Sequence, residues 1–200
     1  MKQRISGNRR IGWAAILALV LHSATTVAQT DSLPEAIANG PAVTPIMVSL
    51  PLQQASAIVD EALRVGRAES MLPLTVVVLD AGGHMVAVKR EDGSGIFRIE
   101  VANAKAYGAL GMGVSTRLMG QRLENRPVFA ASLNGLSDGQ WVPVPGGVLI
   151  RNEQGQIIGS LGISGDTSDR DEFAAINAVW AVGYYPEPLE PNESWRDSHL

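Results

Sequence analysis

The feature that most restricts the fold is a β-branched run, Leu74–Leu79, which ends in the turn sequence Asp80-Ala81-Gly82-Gly83. The run is too short for a helix, and a second apolar stretch, Met85–Val88, follows at once. Because glycine adopts the positive φ of a tight turn without strain, the segment predicts a β-hairpin. The first strand is apolar at nearly every position, which predicts burial on both faces and a central place in a sheet.

A second strand-turn-strand unit lies near the C-terminus. Val148–Arg151 and Gln156–Ser164 are two apolar stretches joined by Asn152-Glu153-Gln154-Gly155. A lone hairpin cannot bury enough surface to be stable, and helical segments separate the two units. The fold class predicted is therefore α+β, with an antiparallel central sheet flanked by helices.

Four segments have helical spacing of their apolar residues. The second is rich in alanine and glycine, which keeps the helix thin and suits close packing on a flat sheet. Ser115 or Thr116 is expected to cap the third and Ser168 the fourth. Residues 130–147 are interrupted by glycine and proline and predict a long loop with at most one short strand. The four predicted helices run from Ser49 to Gly66, from Phe97 to Gly111, from Ser115 to before Pro127, and from Ser168 to Val182.

Residues 1–28 have the layout of a secretory signal peptide. Basic residues precede the apolar run Ile11–Leu21, and small residues follow up to Ala28, where we expect cleavage. The run is much shorter than the roughly 20 apolar residues that span a bilayer, so no stable membrane anchor is expected. The expected location is periplasmic or secreted, and the pair Arg9-Arg10 leaves both Sec and twin-arginine export open.

The remaining chain predicts one domain with two extensions. Residues 29–48 contain prolines and glycine without periodicity and predict a flexible arm. The domain is placed at 49–183, and the proline-containing tail 184–200 is expected to be irregular.

Composition excludes several classes of function. The chain has no cysteine, which removes disulfides and thiolate chemistry. A formal net charge of -4, with basic residues concentrated in the leader, argues against nucleic acid as a partner. No cluster of His, Asp and Glu has the spacing of a metal site, so no metal is expected.

Five segments of the chain have a recognisable sequence pattern: Val78–Ala87, Arg90–Gly93, Ala102–Ala106, Pro145–Val148 and Ile158–Gly165. Together they resemble the GlcG/HbpS family, which is related to the C-terminal domain of PduO. The resemblance extends over Ser49–Val182. It implies a three-layer, profilin-like α+β single domain that assembles into homo-oligomers, and it implies haem or a related tetrapyrrole as the cofactor-sized ligand.

Within this resemblance, Lys105 is the strongly polar residue of the thin helix, and Arg90 closes the first hairpin. We expect both to pair with ligand carboxylates such as haem propionates, while Gly146 and Gly147 allow backbone to approach a flat ligand. Extension of the Lys105 side chain to solvent is the alternative. His84 offers an iron ligand, although a turn position favours simple exposure.

Other residues allow two explanations each. Phe97, Tyr107 and Met112 could form an apolar wall or belong to the core. Asp171 and Glu172 could act as acid and base, or simply stabilise the positive end of the last helix.

Three functions follow from the sequence. The first is an exported protein that binds haem or a tetrapyrrole. The second is a cofactor-independent enzyme for a small carboxylate-bearing metabolite, with proton transfer by Lys105 or Asp171/Glu172 in a pocket between subunits. The third is an accessory protein that binds a partner through its proline-rich arms. Whether the protein is catalytic stays open at this point.

Overall fold

The computed structural model describes residues 46–199, so the predicted signal peptide and most of the predicted arm lie outside the described residues. The five strands of this part form one antiparallel sheet in the order β2-β1-β4-β3-β5. Strand β1 is buried and lies between β2 and β4, which confirms its predicted interior position. The strands are β1 Thr75–Asp80, β2 Met85–Arg90, β3 Gly147–Arg151, β4 Ile157–Ser164 and β5 Tyr185–Glu187.

Helices cover both faces of the sheet, so the predicted three-layer α+β architecture is confirmed. Side chains alternate along β1: Val76 and Val78 face helices α1 and α5, whereas Val77 and Leu79 face helix α2. The helices are α1 Leu52–Ala68, α2 Arg98–Met112, α3 Thr116–Leu123, α4 Pro127–Leu136 and α5 Ser168–Ala181, followed by a 3-10 helix, Glu193–Asp197.

Helix α2 lies directly on the backbone of the sheet. A Cβ at Gly162 would lie 1.9 Å from the carbonyl oxygen of Ala102, and a Cβ at Gly147 would lie 2.4 Å from that of Lys105. Both glycines are therefore required for the helix to approach this closely. The alanines of α2 serve the same purpose from the other side of the contact.

Two predictions about helix boundaries are wrong. Ser49 does not cap α1; its hydroxyl accepts a hydrogen bond from the Ala81 backbone N–H, and Pro51 precedes the helix instead. Thr167, not Ser168, is the residue before α5. At α3 the prediction is confirmed, because the Ser115 hydroxyl accepts from the backbone N–H of Leu118.

The predicted long loop at 130–147 is also wrong in its first part, which belongs to helix α4. Pro127 occupies the first turn, where its missing N–H has no intrahelical partner to lose. The residues after it, through Leu133, are compatible with a helix. The loop prediction rested partly on Gly135, which lies inside the last turn of the helix.

The C-terminal tail, predicted to be irregular, is ordered against the domain. It contributes edge strand β5 and the 3-10 helix, whose Trp195 ring stacks on Phe173 with centroids 3.5 Å apart. The backbone N–H and the hydroxyl of Ser115 both donate to the Glu187 carboxylate. The tail thus ties the start of α3 to the start of α5.

The contact between α2 and the sheet predicts that Gly162→Ala lowers the free energy of unfolding by at least about 2 kcal/mol, because backbone atoms must move apart to admit a methyl group. Urea denaturation measures the effect. Gly111→Ala is the matched control: nothing lies within 4 Å of its Cβ position, so this change should be neutral or slightly stabilising. Equal effects of the two substitutions would contradict the close contact.

Candidate functional site

A buried ion pair joins helix α2, on one face of the sheet, to the first turn of α5, on the other face. Lys105 Nζ is 2.9 Å from Asp171 Oδ2, and the two side chains are 2% and 1% exposed. The second oxygen, Oδ1, accepts a hydrogen bond of 3.0 Å from the backbone N–H of Asp166. With this one additional hydrogen bond the buried pair is compensated, and removing either partner would leave an uncompensated buried charge.

The Asp171 carboxyl has a raised pKa of about 6, against an ordinary value of 3.8. Burial is the main cause, and the attraction of Lys105 and of Arg98 offsets part of it. Gly146 allows this close arrangement, since a Cβ there would lie 2.8 Å from Lys105 Nζ. Its φ of 112° is a second reason for glycine at this position.

A second ion pair is adjacent in sequence and joins α5 to α3. Arg117 Nε is 3.1 Å from Glu172 Oε2, with Glu172 fully buried. Burial raises the pKa of Glu172 to about 7; Arg117 lowers it in part and Asp169 raises it further. Neither oxygen of Glu172 has a hydrogen bond of normal geometry within residues 46–199, so Arg117 is its main compensation.

These two pairs correct the predicted role of Asp171 and Glu172, which do more than stabilise the end of a helix. Their burial could have been read from helical spacing. Asp171 and Glu172 lie three or four residues before the core positions Ala174, Ala175 and Ile176. Residues with this spacing share a helix face, so both carboxylates lie on the buried side of α5.

The predicted ligand-binding residues do not form one cluster within residues 46–199. Lys105, Gly146 and Gly147 are together, but Lys105 is already paired with Asp171, and α2 occupies the space that the glycines leave. Arg90 and His84 lie at opposite ends of the first hairpin. Arg90 donates a hydrogen bond to the backbone oxygen of Ser94, and the His84 side chain is 83% exposed.

An apolar cleft of about 200 Å³ opens between α2 and α4. Trp141 forms its floor against Gly108, where a Cβ would lie 2.8 Å from the indole ring. Tyr107 and Met112, predicted as a possible apolar wall, line the opening and are each 38% exposed. In the part of the chain that the structure describes, no charged side chain lines the cleft.

The cleft lies close to the turn of the first hairpin. A Cβ at Gly83 would be 3.1 Å from the ring of Tyr107, and His84 is the next residue along the chain. Phe97, the other predicted wall residue, lies before the start of α2 and is 75% exposed. Leu133, Leu136 and Trp141 were missed because this part of the chain was predicted to be a loop.

Other site types are not found in the part of the chain that the structure describes. Within residues 46–199, no group of three or more His, Asp and Glu side chains is arranged to hold a metal ion. In the same range, none of the helices has the length and apolar character needed to cross a bilayer.

The fold and these features define a small antiparallel α+β domain that combines buried ion pairs with an open apolar cleft. The chain belongs to the HbpS-like family, described as haem degrading protein HbpS-like, whose model matches residues 50–180. The resemblance seen in the sequence is therefore confirmed. Comparison with curated protein sequences gave no match.

Solved structures share this fold. A PduOC–haem complex is 26% identical with a TM-score of 0.61, over 70% of this chain and 99% of that chain. A double mutant of HbpS from Streptomyces reticuli is 24% identical with a TM-score of 0.59, over 72% and 93%. Klebsiella pneumoniae protein ORFY is 19% identical with a TM-score of 0.60, over 71% and 95%.

The buried pair predicts that Lys105→Met lowers the free energy of unfolding by about 3–5 kcal/mol at pH 8, where Asp171 is ionised and loses its counter-charge. The loss should be smaller at pH 5, because there Asp171 is protonated. Urea denaturation at the two pH values measures it.

Lys89→Met is the matched control, since it removes an exposed ion pair with Asp60. Its effect should stay within about 1 kcal/mol. A Lys105→Met protein as stable as Lys89→Met at pH 8 would contradict the assignment of Lys105 to the core.

The raised pKa of Glu172 predicts a pH dependence of stability. The pKa of Glu172 in the folded state, about 7, lies above the ordinary 4.5. The stability that Glu172 contributes is therefore fully present below pH 4.5 and is lost as the pH rises to 7. Glu172→Gln cannot ionise. Between pH 4.5 and 8 its stability relative to the native protein should therefore rise by up to about 3 kcal/mol.

Chemical denaturation at several pH values tests this expectation. Glu153→Gln, at an exposed turn position, is the control and should leave the pH profile unchanged. Parallel profiles for Glu172→Gln and the native protein would show that Glu172 keeps an ordinary pKa.

Proposed function

We propose that the protein binds haem or a related tetrapyrrole in the cleft between α2 and α4. The observation that carries the proposal is this apolar, uncharged cleft, which lies beside a thin helix and close to the exposed His84. The family description and the haem complex of PduOC support it, because both name haem for related proteins.

The residues of the cleft fit one edge of a flat apolar ligand. Trp141, Leu133 and Leu136 offer apolar contact, and Gly111 leaves room on the α2 side. Tyr107, Met112 and His84 are of the residue types that ligate haem iron. When bound, haem would supply a redox-active iron centre; the protein's part is to hold the ring and exclude water from one side.

The cleft, at about 200 Å³, is smaller than the roughly 300–1,000 Å³ that encloses a drug-sized ligand. A ring bound there would stay partly exposed unless a second subunit covered it. The proposal therefore includes a homo-oligomer, as the family resemblance implies.

We also propose export to the periplasm or the medium, with removal of residues 1–28. Its support is the order of basic, apolar and small residues in the leader. Mass spectrometry of the protein recovered from outside the cytoplasm tests this point; a mature N-terminus at Gln29 is expected.

The enzyme alternative has one specific observation in its favour. Asp171 and Glu172 have pKa values raised to about 6 and about 7, the range in which a carboxyl can act as acid or base near neutral pH. Both are buried and paired, so a substrate would have to displace a partner to reach them. Haem binding in the cleft requires no such rearrangement and is the better supported function.

A haemin titration followed at the Soret band tests the proposed function. Gly111→Leu should weaken haem binding at least tenfold, or about 1.4 kcal/mol, because the new side chain fills the cleft. The fold should tolerate this change, since no atom of residues 46–199 lies within 4 Å of the Cβ position of Gly111. Tyr107→Phe and His84→Ala should change the position of the Soret band if either side chain ligates iron.

Tyr185→Phe is the matched control, because Tyr185 is similarly exposed but lies on β5. It should leave both affinity and spectrum unchanged. Saturable binding that is indifferent to Gly111→Leu would move the ligand away from this cleft, and a featureless titration would rule out haem as the ligand.

A further inference from the structure

Helix α4 contacts the rest of the domain along one side. Ala130 and Leu133 pack against the cluster formed by Met119, Leu123 and Trp141. None of the residues of this helix is buried. Among residues 46–199, nothing covers its opposite side, which lies at the edge of the domain.

The uncovered side of α4 is apolar. Residues spaced by three, four and seven positions share a helix face, which places Val128, Ser132, Gly135 and Leu136 together. Val128 and Leu136 are 80% and 85% exposed. Two large apolar side chains exposed on one helix face favour an interaction site there.

Little polarity would have to be desolvated to cover this face. The helix contains no charged residue. The hydroxyl of Ser132 donates a 2.9 Å hydrogen bond to the backbone oxygen of Val128, so it needs no water. Helix α4 offers no charged side chain with which a partner could pair. The partner surface that contacts this face must therefore be apolar.

We propose that α4 packs antiparallel against α4 of a second copy of this chain, across a two-fold axis near Ala131 and Ser132. Small residues at the centre let the two backbones approach closely. At each end, Val128 of one copy lies opposite the partner's Gly135. An interface of this kind is self-complementary, as two-fold symmetry requires.

Charges at the two ends of the helix favour this partner and this direction. Arg126 precedes α4 and Asp138 follows it, and both are exposed. Neither forms an ion pair within residues 46–199. Antiparallel packing brings Arg126 of each copy to the partner's Asp138, whereas parallel packing would bring like charges together.

The pairing would also act on the cleft between α2 and α4. Leu136 belongs both to the rim of this cleft and to the outward face of the helix. A second copy packed on α4 would therefore add wall to the open side. The pairing itself does not rest on haem binding, because the argument uses only α4 and the two flanking charges.

Cysteine cross-linking tests the pairing and its direction, because the chain has no cysteine of its own. Val128→Cys and Gly135→Cys proteins are mixed under mild oxidation without haem. The mixture should give a disulfide dimer, with a several-fold higher yield than Val128→Cys alone. Both positions accept the change: Val128 is exposed, and nothing lies within 4 Å of the Cβ position of Gly135.

Ile96→Cys is the matched control, since Ile96 is 75% exposed on a different surface. It should give only the background of random collisions. A mixture that cross-links no better than this control overturns the pairing, and efficient cross-linking of Val128→Cys with itself overturns the antiparallel direction.

Sedimentation of the purified protein without haem gives a second measurement. The native protein should associate with rising concentration, and Leu136→Glu should raise the dissociation constant at least tenfold while leaving the circular dichroism spectrum unchanged. A native protein that stays monomeric, or an association unaffected by Leu136→Glu, overturns the proposal. Neither measurement uses haem, so the α4 pairing and the haem site can fail separately; a strictly monomeric protein would count against the pairing and the proposed homo-oligomer but not against haem binding in the cleft.

Discussion

The packing of the helices around the sheet depends on the contact between helix α2 and the backbone of strands β3 and β4. Gly147 and Gly162 bring α2 so close to the sheet that no side chain fits between them. A lysine on the inner side of such a helix has no path to water. Lys105 is therefore held inside the domain, and the Asp171 carboxylate has to be there to compensate its charge.

Much of this fold could be predicted from the sequence, because hairpin strands carry local signals. The turn glycines and the continuous apolar run of β1 identify the first hairpin without any tertiary information. Helix α4 could not be identified in the same way. None of its residues is buried, so its sequence lacks the periodic spacing of apolar residues that identifies a helix. Gly135, in its last turn, is also typical of a loop.

The candidate site was harder to predict than the fold. Lys105 was recognised as unusual, but its partner comes from a helix 66 positions away in sequence, and such a pair is visible only once the chain is folded. The cleft depends on α4 and Trp141, both in the segment predicted as a loop. Gly146 and Gly147 were expected to make room for a ligand; they make room for Lys105 and for the backbone of α2.

The C-terminal segment affects the order in which the parts of the domain can pack. Glu187 accepts hydrogen bonds at the start of α3, and Trp195 completes the packing around Phe173 on α5. Both residues follow strands β1 to β4 in the chain, so they are synthesised after the strands whose surroundings they complete. The packing around α3 and α5 is therefore complete only once the chain has been synthesised through Trp195.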